Sequence, residues 1–248
     1  MLRSILVAAL LAAIPAVAPA CAEDGFTSAQ RAEIVATIRA AFRADPSILR
    51  EAIVALQRDE AQSQQTSARA VVGRAMPALT GTPGDPVEGN PQGDVTVVQF
   101  YDMRCPYCRR MLPTVAALIA ADPQVRVIDK DIPILGPASV LGARAVLAAQ
   151  AQGGYARLRD ALMGGTPNIT EAVVHAAAVS AGLDWPRLRH DMDDPAIAAR
   201  LEANVAAAHA LGIDGTPAFA IGDRITPGAV PLSELQSSVA AARAQPHG

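Results

Sequence analysis

The sequence predicts an α/β fold in which helices flank a sheet, with a helical extension at the N-terminus and a helical insertion. Residues 95–101, VTVVQFY, are rich in β-branched and aromatic side chains, as is typical of a buried strand. An amphipathic helix at 109–121 and a short strand at 125–128 follow. This β-α-β order predicts two parallel strands joined by a right-handed crossover. Abundant alanine favours helix in much of the remainder.

Residues 1–22 predict a secretory signal peptide rather than part of the fold. Arg3 precedes an apolar run at 5–14, and small residues at 18–22 fit a cleavage site. The run is too short to span a bilayer as a permanent helix. Cys21 leaves two alternatives open: lipid attachment would anchor the protein, and cleavage after Ala22 would remove the cysteine. The flanking residues favour the second alternative.

Residues 23–72 are expected to form an N-terminal helical region. Apolar residues at helical spacing mark one helix from 27 to 44, and a second is expected from 47 to 72. Its part from Arg58 to Arg69 is polar on all sides, which is typical of an exposed helix. Such short helices cannot bury their apolar stripes alone. We therefore expect docking on the rest of the chain or a homo-oligomer through residues 27–72.

Glycine and proline recur through residues 73–94, which predicts a linker or a set of turns. A catalytic domain is then expected over 95–245, with a helical insertion at 138–212. A short strand at 218–221, a hairpin turn at Asp223-Arg224 and a last helix at 232–244 complete it. The net charge of −3 and the lack of a basic cluster argue against nucleic acid as a partner.

The cysteine pair carries the chemistry of this sequence. Cys105 and Cys108 close too small a loop to stabilise a fold, so the pair is expected to serve redox exchange or metal binding. Pro106 favours the first position of a helix, which places Cys105 at the helix N-terminus. There the thiol pKa should fall below about 8.5. Cys105 is expected to be the exposed thiol, whereas Cys108 lies one turn later, should be less exposed and is the expected resolving thiol. No organic cofactor is needed.

Metal binding and a plain structural disulfide are the alternatives for this pair. Two cysteines supply half of the four ligands of a structural zinc site, and the four histidines lack ligand spacing. We therefore expect no complete metal site within the chain. Two thiolates could still take Cu(I), so a copper-binding or copper-protective protein stays an alternative. A third alternative is a binding chaperone with incidental cysteines.

The chain resembles the DsbA-like thiol oxidoreductases of the bacterial cell envelope, within the thioredoxin superfamily. The matching residues are 97–102, the Cys-Pro-Tyr-Cys motif at 105–108, 133–136 and 212–219. The N-terminal helices make it similar to the copper-sensitivity suppressor C (ScsC) branch. The resemblance implies a thioredoxin-like fold, a periplasmic location, exported protein thiols and disulfides as substrates, and a membrane redox partner. It leaves oxidase, isomerase and reductase activity open.

Two further residue assignments come from this resemblance. The proline of a Thr-Pro pair in the family is cis and lies against the cysteines, and Thr216-Pro217 matches it. The backbone at Thr216 would then pair with an extended peptide. A buried acid is common six positions before the first cysteine, where this chain has Gln99. Because an amide cannot titrate, either water or Lys130 is expected to substitute for the acid, or the proton-transfer step is expected to be slower.

Overall fold

A computed structural model describes residues 25–166 and 168–245. The proposed signal peptide and Cys21 lie outside the described residues. The chain divides into two compact units, one ending at Glu60 and one beginning at Ala61. Among the described residues, no helix is both long and apolar enough to cross a membrane.

The first unit holds α1 (Ser28–Ala44) and the beginning of α2 (Ser47–Thr80). Thr27 caps α1, because the Gln30 amide donates to its hydroxyl while the Gln30 side chain accepts from the Thr27 amide. No residue of α1 is buried, and eight large aliphatic side chains of α1 and of the beginning of α2 are exposed in the single chain. The exposed set comprises Ile34, Val35, Ile38, Ile48, Leu49, Ile53, Val54 and Leu56.

The expected linker at 73–94 is wrong in two places. Helix α2 continues through Pro77 to Thr80 instead of ending at 72, and residues 87–89 form a strand. A proline inside a helix costs about 3 kcal/mol. Burial of Val72 and Leu79 offsets this cost, since each buried aliphatic side chain contributes about 1.5–3 kcal/mol. Packing therefore overrides the turn-like composition, and the second unit begins well before residue 95.

Five strands form one mixed sheet in the second unit. Their order is β1-β3-β2-β4-β5, with β2 and β3 parallel, as predicted, and the other neighbours antiparallel. The turn between β4 and β5 uses Gly222 and Asp223, one residue earlier than expected, because Gly222 adopts a φ of +60°. The strands are β1 (Val87–Gly89), β2 (Val95–Tyr101), β3 (Val125–Asp131), β4 (Ala218–Ile221) and β5 (Arg224–Pro227).

Helices cover both faces of this sheet. Val97 of β2 packs with α3 and α9 on one face, and Phe100 packs with Leu79 and α8 on the other. The helical content predicted for 138–212 is present as α4 to α8, interrupted by short turns. The remaining helices are α3 (Pro106–Ala121), α4 (Pro137–Ala149), α5 (Tyr155–Gly164), α6 (Glu171–Ser180), α7 (Trp185–Asp191), α8 (Pro195–Ala210) and α9 (Leu232–Arg243).

Candidate active site

Cys105 is the N-cap residue of α3, directly after strand β2 and its loop. Pro106 takes the first helical position, as its fixed φ and missing N–H favour. The free amide of Cys108 points at the Cys105 sulfur with an N···Sγ distance of 3.4 Å. Both thiols are free, so this geometry is that of the reduced pair. The sulfur takes the place of the oxygen that usually caps a helix N-terminus. The positive end of the helix dipole stabilises the thiolate more than the neutral thiol.

The two thiols are strongly differentiated. Hydrogen bonding from the Cys108 side chain lowers the pKa of Cys105 to about 5, against the opposing desolvation, with help from the Thr216 side chain and two backbone amides. Burial raises the pKa of Cys108 far above its ordinary value, and the neighbouring Cys105 adds to the effect. This difference favours Cys105 as the nucleophile and Cys108 as the resolving thiol, and both roles stay predictions.

Cys105 is less exposed than the sequence suggested. Only 4% of the residue is accessible, and Cys108 is fully buried. The loop before β4 accounts for this difference, since the carbonyl oxygen of Thr216 lies 3.3 Å from the Cys105 sulfur. An attacking thiol must approach between that loop and the start of α3.

The peptide bond between Thr216 and Pro217 is cis, as the resemblance implied. The same loop lines a cleft of about 370 Å³ together with Ala218 and β5 residues. Thr216 thus contacts the nucleophile, while Pro217 is buried. Their roles in binding an extended peptide stay predictions.

A buried carboxylate that was not among the predicted site residues holds the loop of the motif. Asp102 accepts hydrogen bonds from the backbone amides of Arg104, at 2.7 Å, and Leu135, at 3.0 Å. The hydroxyl of Ser139, at the start of α4, also donates to it, at 2.7 Å. Asp102 therefore ties the segment before Cys105 to the segment after β3. An acid immediately after a buried strand was the only available signal.

Gln99 lies on the α3 face of β2 and is buried. It lines a cavity with Glu88 and Arg159, and its register neighbour on β3 is Asp129. Lys130 belongs to the opposite face and forms a buried ion pair with Asp85 at 2.5 Å. The expectation that Lys130 replaces the missing acid is therefore wrong, because adjacent residues of a strand point to opposite faces.

An ion cluster surrounds Gln99 instead. Arg159 pairs with Asp129 at 2.8 Å and with both carboxylate oxygens of Glu88. Burial raises the pKa of Asp129 well above its ordinary value, against the opposing charge of Arg159. The pKa of Glu88 is lowered, since the hydrogen bonds and charge of Arg159 outweigh its desolvation.

A second polar group follows further along β3. The Tyr155 hydroxyl donates to Asp131 at 2.9 Å and lies 2.6 Å from the Tyr101 hydroxyl. Burial raises the pKa of Asp131 to about 7, although hydrogen bonds from the two tyrosines oppose the change. Tyr101 belongs to the same buried cluster as both cysteines. The two tyrosines thus link a titratable carboxylate to the apolar core around the motif.

Within residues 25–166 and 168–245, no group of three or more cysteine, histidine or acidic side chains could hold a metal ion. The two thiols are the nearest approach to a soft-metal ligand set in that part of the chain. Copper binding stays a prediction.

A thioredoxin-like fold with a differentiated Cys-x-x-Cys pair at a helix N-terminus defines the class of thioredoxin-like thiol–disulfide oxidoreductases. The chain belongs to the DSBA-like thioredoxin domain family, whose sequence profile matches residues 96–240. The resemblance drawn from the motifs is therefore confirmed.

Solved structures extend this assignment beyond the profile. A thioredoxin-like oxidoreductase from Silicibacter pomeroyi DSS-3 is 44% identical, with a TM-score of 0.67, covering 68% of this chain and 98% of its own. ScsC of Proteus mirabilis, in a transitional conformation, is 29% identical, with a TM-score of 0.64, covering 88% of this chain and 97% of its own. The ScsC likeness thus reaches into the N-terminal region.

Curated relatives match over a smaller part of their length. The Na(+)/H(+) antiporter NhaA 3 of Salinispora tropica is 31% identical over 170 residues, which are 66% of this chain and 26% of the antiporter. The chain therefore spans about a quarter of the length of the curated relatives it matches.

Proposed function

We propose that this protein exchanges disulfides with exported proteins through Cys105 and Cys108. The observation that carries the proposal is the hydrogen-bonded Cys105 sulfur, whose pKa is about 5, beside a resolving thiol that stays protonated. At neutral pH Cys105 is therefore a thiolate and a good leaving group. Stabilisation of the reduced form in this way makes the corresponding disulfide more oxidising.

In the oxidising direction, a substrate thiolate attacks the Cys105 sulfur of the Cys105–Cys108 disulfide. A substrate–Cys105 bond forms, the bond between the two cysteines breaks, and Cys108 leaves with the electron pair and takes a proton. A second substrate thiolate then attacks the substrate sulfur of this mixed disulfide. The new substrate disulfide forms, and Cys105 departs as the stabilised thiolate. Two electrons pass from the substrate dithiol to the cysteine pair.

Thr216 is proposed to position the substrate during both steps. Its carbonyl oxygen lies next to the Cys105 sulfur, at the end of the loop that leads into β4. An extended peptide that pairs with this backbone would align its own sulfur with Cys105. The reverse reaction uses the same contacts, so the geometry serves reduction and isomerisation as well.

We place this activity in the periplasm, on the strength of the signal-peptide pattern at residues 1–22. Such a cycle requires an oxidant, because each oxidation of a substrate leaves Cys105 and Cys108 reduced. We propose a membrane redox protein in this role, as the family resemblance implies.

Self-association through the N-terminal region supports isomerisation as a second candidate. The first unit exposes a series of large aliphatic side chains, for example Ile53 at 54% and Leu56 at 58%. Contiguous exposed apolar surface of this kind is typical of an interaction site. An oligomer would present several cysteine pairs to one misfolded substrate, which favours reshuffling over simple oxidation.

The test compares oxidation of a reduced dithiol peptide with recovery of a protein carrying wrong disulfides. Wild-type protein is expected to perform the first reaction, and Cys105→Ser is expected to perform neither. Cys108→Ser should accumulate a mixed disulfide on Cys105. Full activity of Cys105→Ser in either assay would refute the proposed function and favour a binding chaperone.

A further inference from the structure

Three arginines flank the cysteine motif in the sequence, and each has a contact that holds its guanidinium group. Arg104 donates to the Leu135 carbonyl at 2.6 Å, and Arg109 donates to the Gly165 carbonyl at 2.7 Å. The guanidinium of Arg110 lies over the Tyr107 ring, 4.4 Å from its centroid. The partners of Arg109 and Arg110 are a neutral carbonyl and a ring, so these two contacts leave the positive charges of Arg109 and Arg110 in place. In the described part of the chain, Arg109 and Arg110 form no ion pair.

The dipole of α3 does not favour cations at this position. The positive end of the α3 dipole favours acidic side chains, yet the first turn has none and Arg109 and Arg110 follow directly. The thiolate does not account for them either. The leading causes of the low pKa of Cys105 are hydrogen bonds from Cys108 and Thr216, and no arginine is among them. Charges that the helix dipole disfavours, and that do not set the pKa of the neighbouring thiol, are typical of a functional surface.

Apolar side chains lie beside these charges. Tyr107, inside the motif, is 52% exposed, while Ile134 and Leu135, between β3 and α4, are 40% and 43% exposed. Leu135 also supplies the carbonyl that holds Arg104. The rim of the site therefore combines exposed aromatic and aliphatic surface with guanidinium groups. Asp214, exposed in the loop before Thr216, is an acid on the other side of the motif.

We propose that Cys105 exchanges preferentially with cysteines in extended peptide segments that carry acidic residues next to an apolar or aromatic residue. This inference rests on the proposed exchange function and specifies its substrate class. The carboxylates would approach Arg109 and Arg110, and the apolar side chain would contact Tyr107 or Leu135. The protein as a whole has a net charge of −3, so the attraction is local to the site.

The experiment uses three peptides of one sequence and length, each with a single cysteine next to a leucine. Flanking positions hold glutamate, glutamine or lysine. Each peptide thiol is reacted with the oxidised full-length protein, and the rate of mixed-disulfide formation is measured by acid quench. Rates are expressed per thiolate, from the measured pKa of each peptide, because flanking charges change that pKa.

The acidic peptide is expected to react about three- to tenfold faster than the basic one at low salt, as two partly screened charge pairs would give. The ratio should approach one in 1 M salt, where the Debye length is about 3 Å. Arg109→Gln combined with Arg110→Gln should remove most of the preference while the Cys105 pKa stays near about 5. Arg157→Gln is the matched control, since Arg157 is also exposed and bonded to a carbonyl, that of Ala181.

The outcomes separate the two proposals. Equal rates for the three peptides, with exchange intact, would overturn the inference and leave the proposed function standing. A preference that survives the double arginine variant would also overturn it. No reaction with any peptide would overturn the proposed function, and the inference with it.

Discussion

Removal of the Cys108 side chain tests which interaction makes Cys105 reactive. In the reduced protein, hydrogen bonding from the Cys108 side chain is the largest cause that lowers the pKa of Cys105 to about 5. A hydrogen bond to a charged group contributes about 1.5–3 kcal/mol, and one pKa unit corresponds to about 1.36 kcal/mol. Cys108→Ala should therefore raise the midpoint by about one to two units, to about 6–7. The backbone amide of Cys108 remains and prevents a return to the ordinary value.

The assay is the pH dependence of iodoacetamide alkylation of Cys105, supported by thiolate absorbance near 240 nm. Cys108→Ser is the matched control, because its hydroxyl still donates a hydrogen bond, and its midpoint should stay near that of the wild type. An unchanged midpoint in Cys108→Ala would show that the helix terminus and backbone amides suffice. The role given to the Cys108 side chain would then be refuted.

Three further predictions concern stability and assembly. The low folded pKa of Cys105 stabilises the reduced protein fully above pH 9, and this stabilisation is lost as the pH falls through about 5. The urea midpoint of the reduced protein, relative to that of the oxidised protein, should therefore rise as the pH increases from about 5 to 9. The folded pKa of Asp131 is raised from 3.8 to about 7, so this residue destabilises the folded state where it must ionise. The loss of stability grows as the pH rises between these two values and reaches at most about 4 kcal/mol. Asp131→Asn should gain stability relative to wild type across that range, and a pH-independent difference in urea denaturation would contradict this. Ile53→Glu with Leu56→Glu should reduce the mass measured by light scattering without loss of peptide oxidation, whereas Gln57→Glu should not; a monomeric wild type would contradict the proposal.

The predictable parts of the fold and site depend on local signals. The β-branched run at 95–101 identifies β2, and Pro106 identifies the start of α3. Together they fix Cys105 at a helix N-terminus, from which the order of thiol reactivity follows. The assignment of Thr216 and Pro217 to the site depended on the family resemblance. A Thr-Pro pair in a sequence does not by itself show that it lies beside a cysteine more than a hundred positions away.

The unpredicted parts depend on contacts between distant residues. Asp85 meets Lys130 across 45 positions, and Glu88 meets Arg159 across 71. The spacing of residues within a short stretch of sequence cannot predict such pairs. They explain why a stretch rich in glycine and proline belongs to the folded unit: Asp85 and Glu88 bind residues on opposite faces of the sheet. Strand β1 has only three residues, and these ion pairs hold it against β3 from both sides.

The same ion cluster gives a physical reason for Gln99. In the parallel register Gln99 neighbours Asp129, and both line the α3 face near Glu88 and Arg159. One guanidinium already pairs with the carboxylates of Asp129, Glu88 and Asp160. Burial, with the charge of Glu88 added to it, raises the pKa of Asp129. A glutamate at position 99 would add a further buried carboxylate beside Asp129, and desolvation and like-charge repulsion disfavour this arrangement. An amide keeps the size and hydrogen-bonding capacity of that acid without its charge. The presence of Gln99 in place of the family's acid is therefore coupled to residues on β1, β3 and α5. The proton that Cys108 exchanges must reach solvent by a route that does not use residue 99.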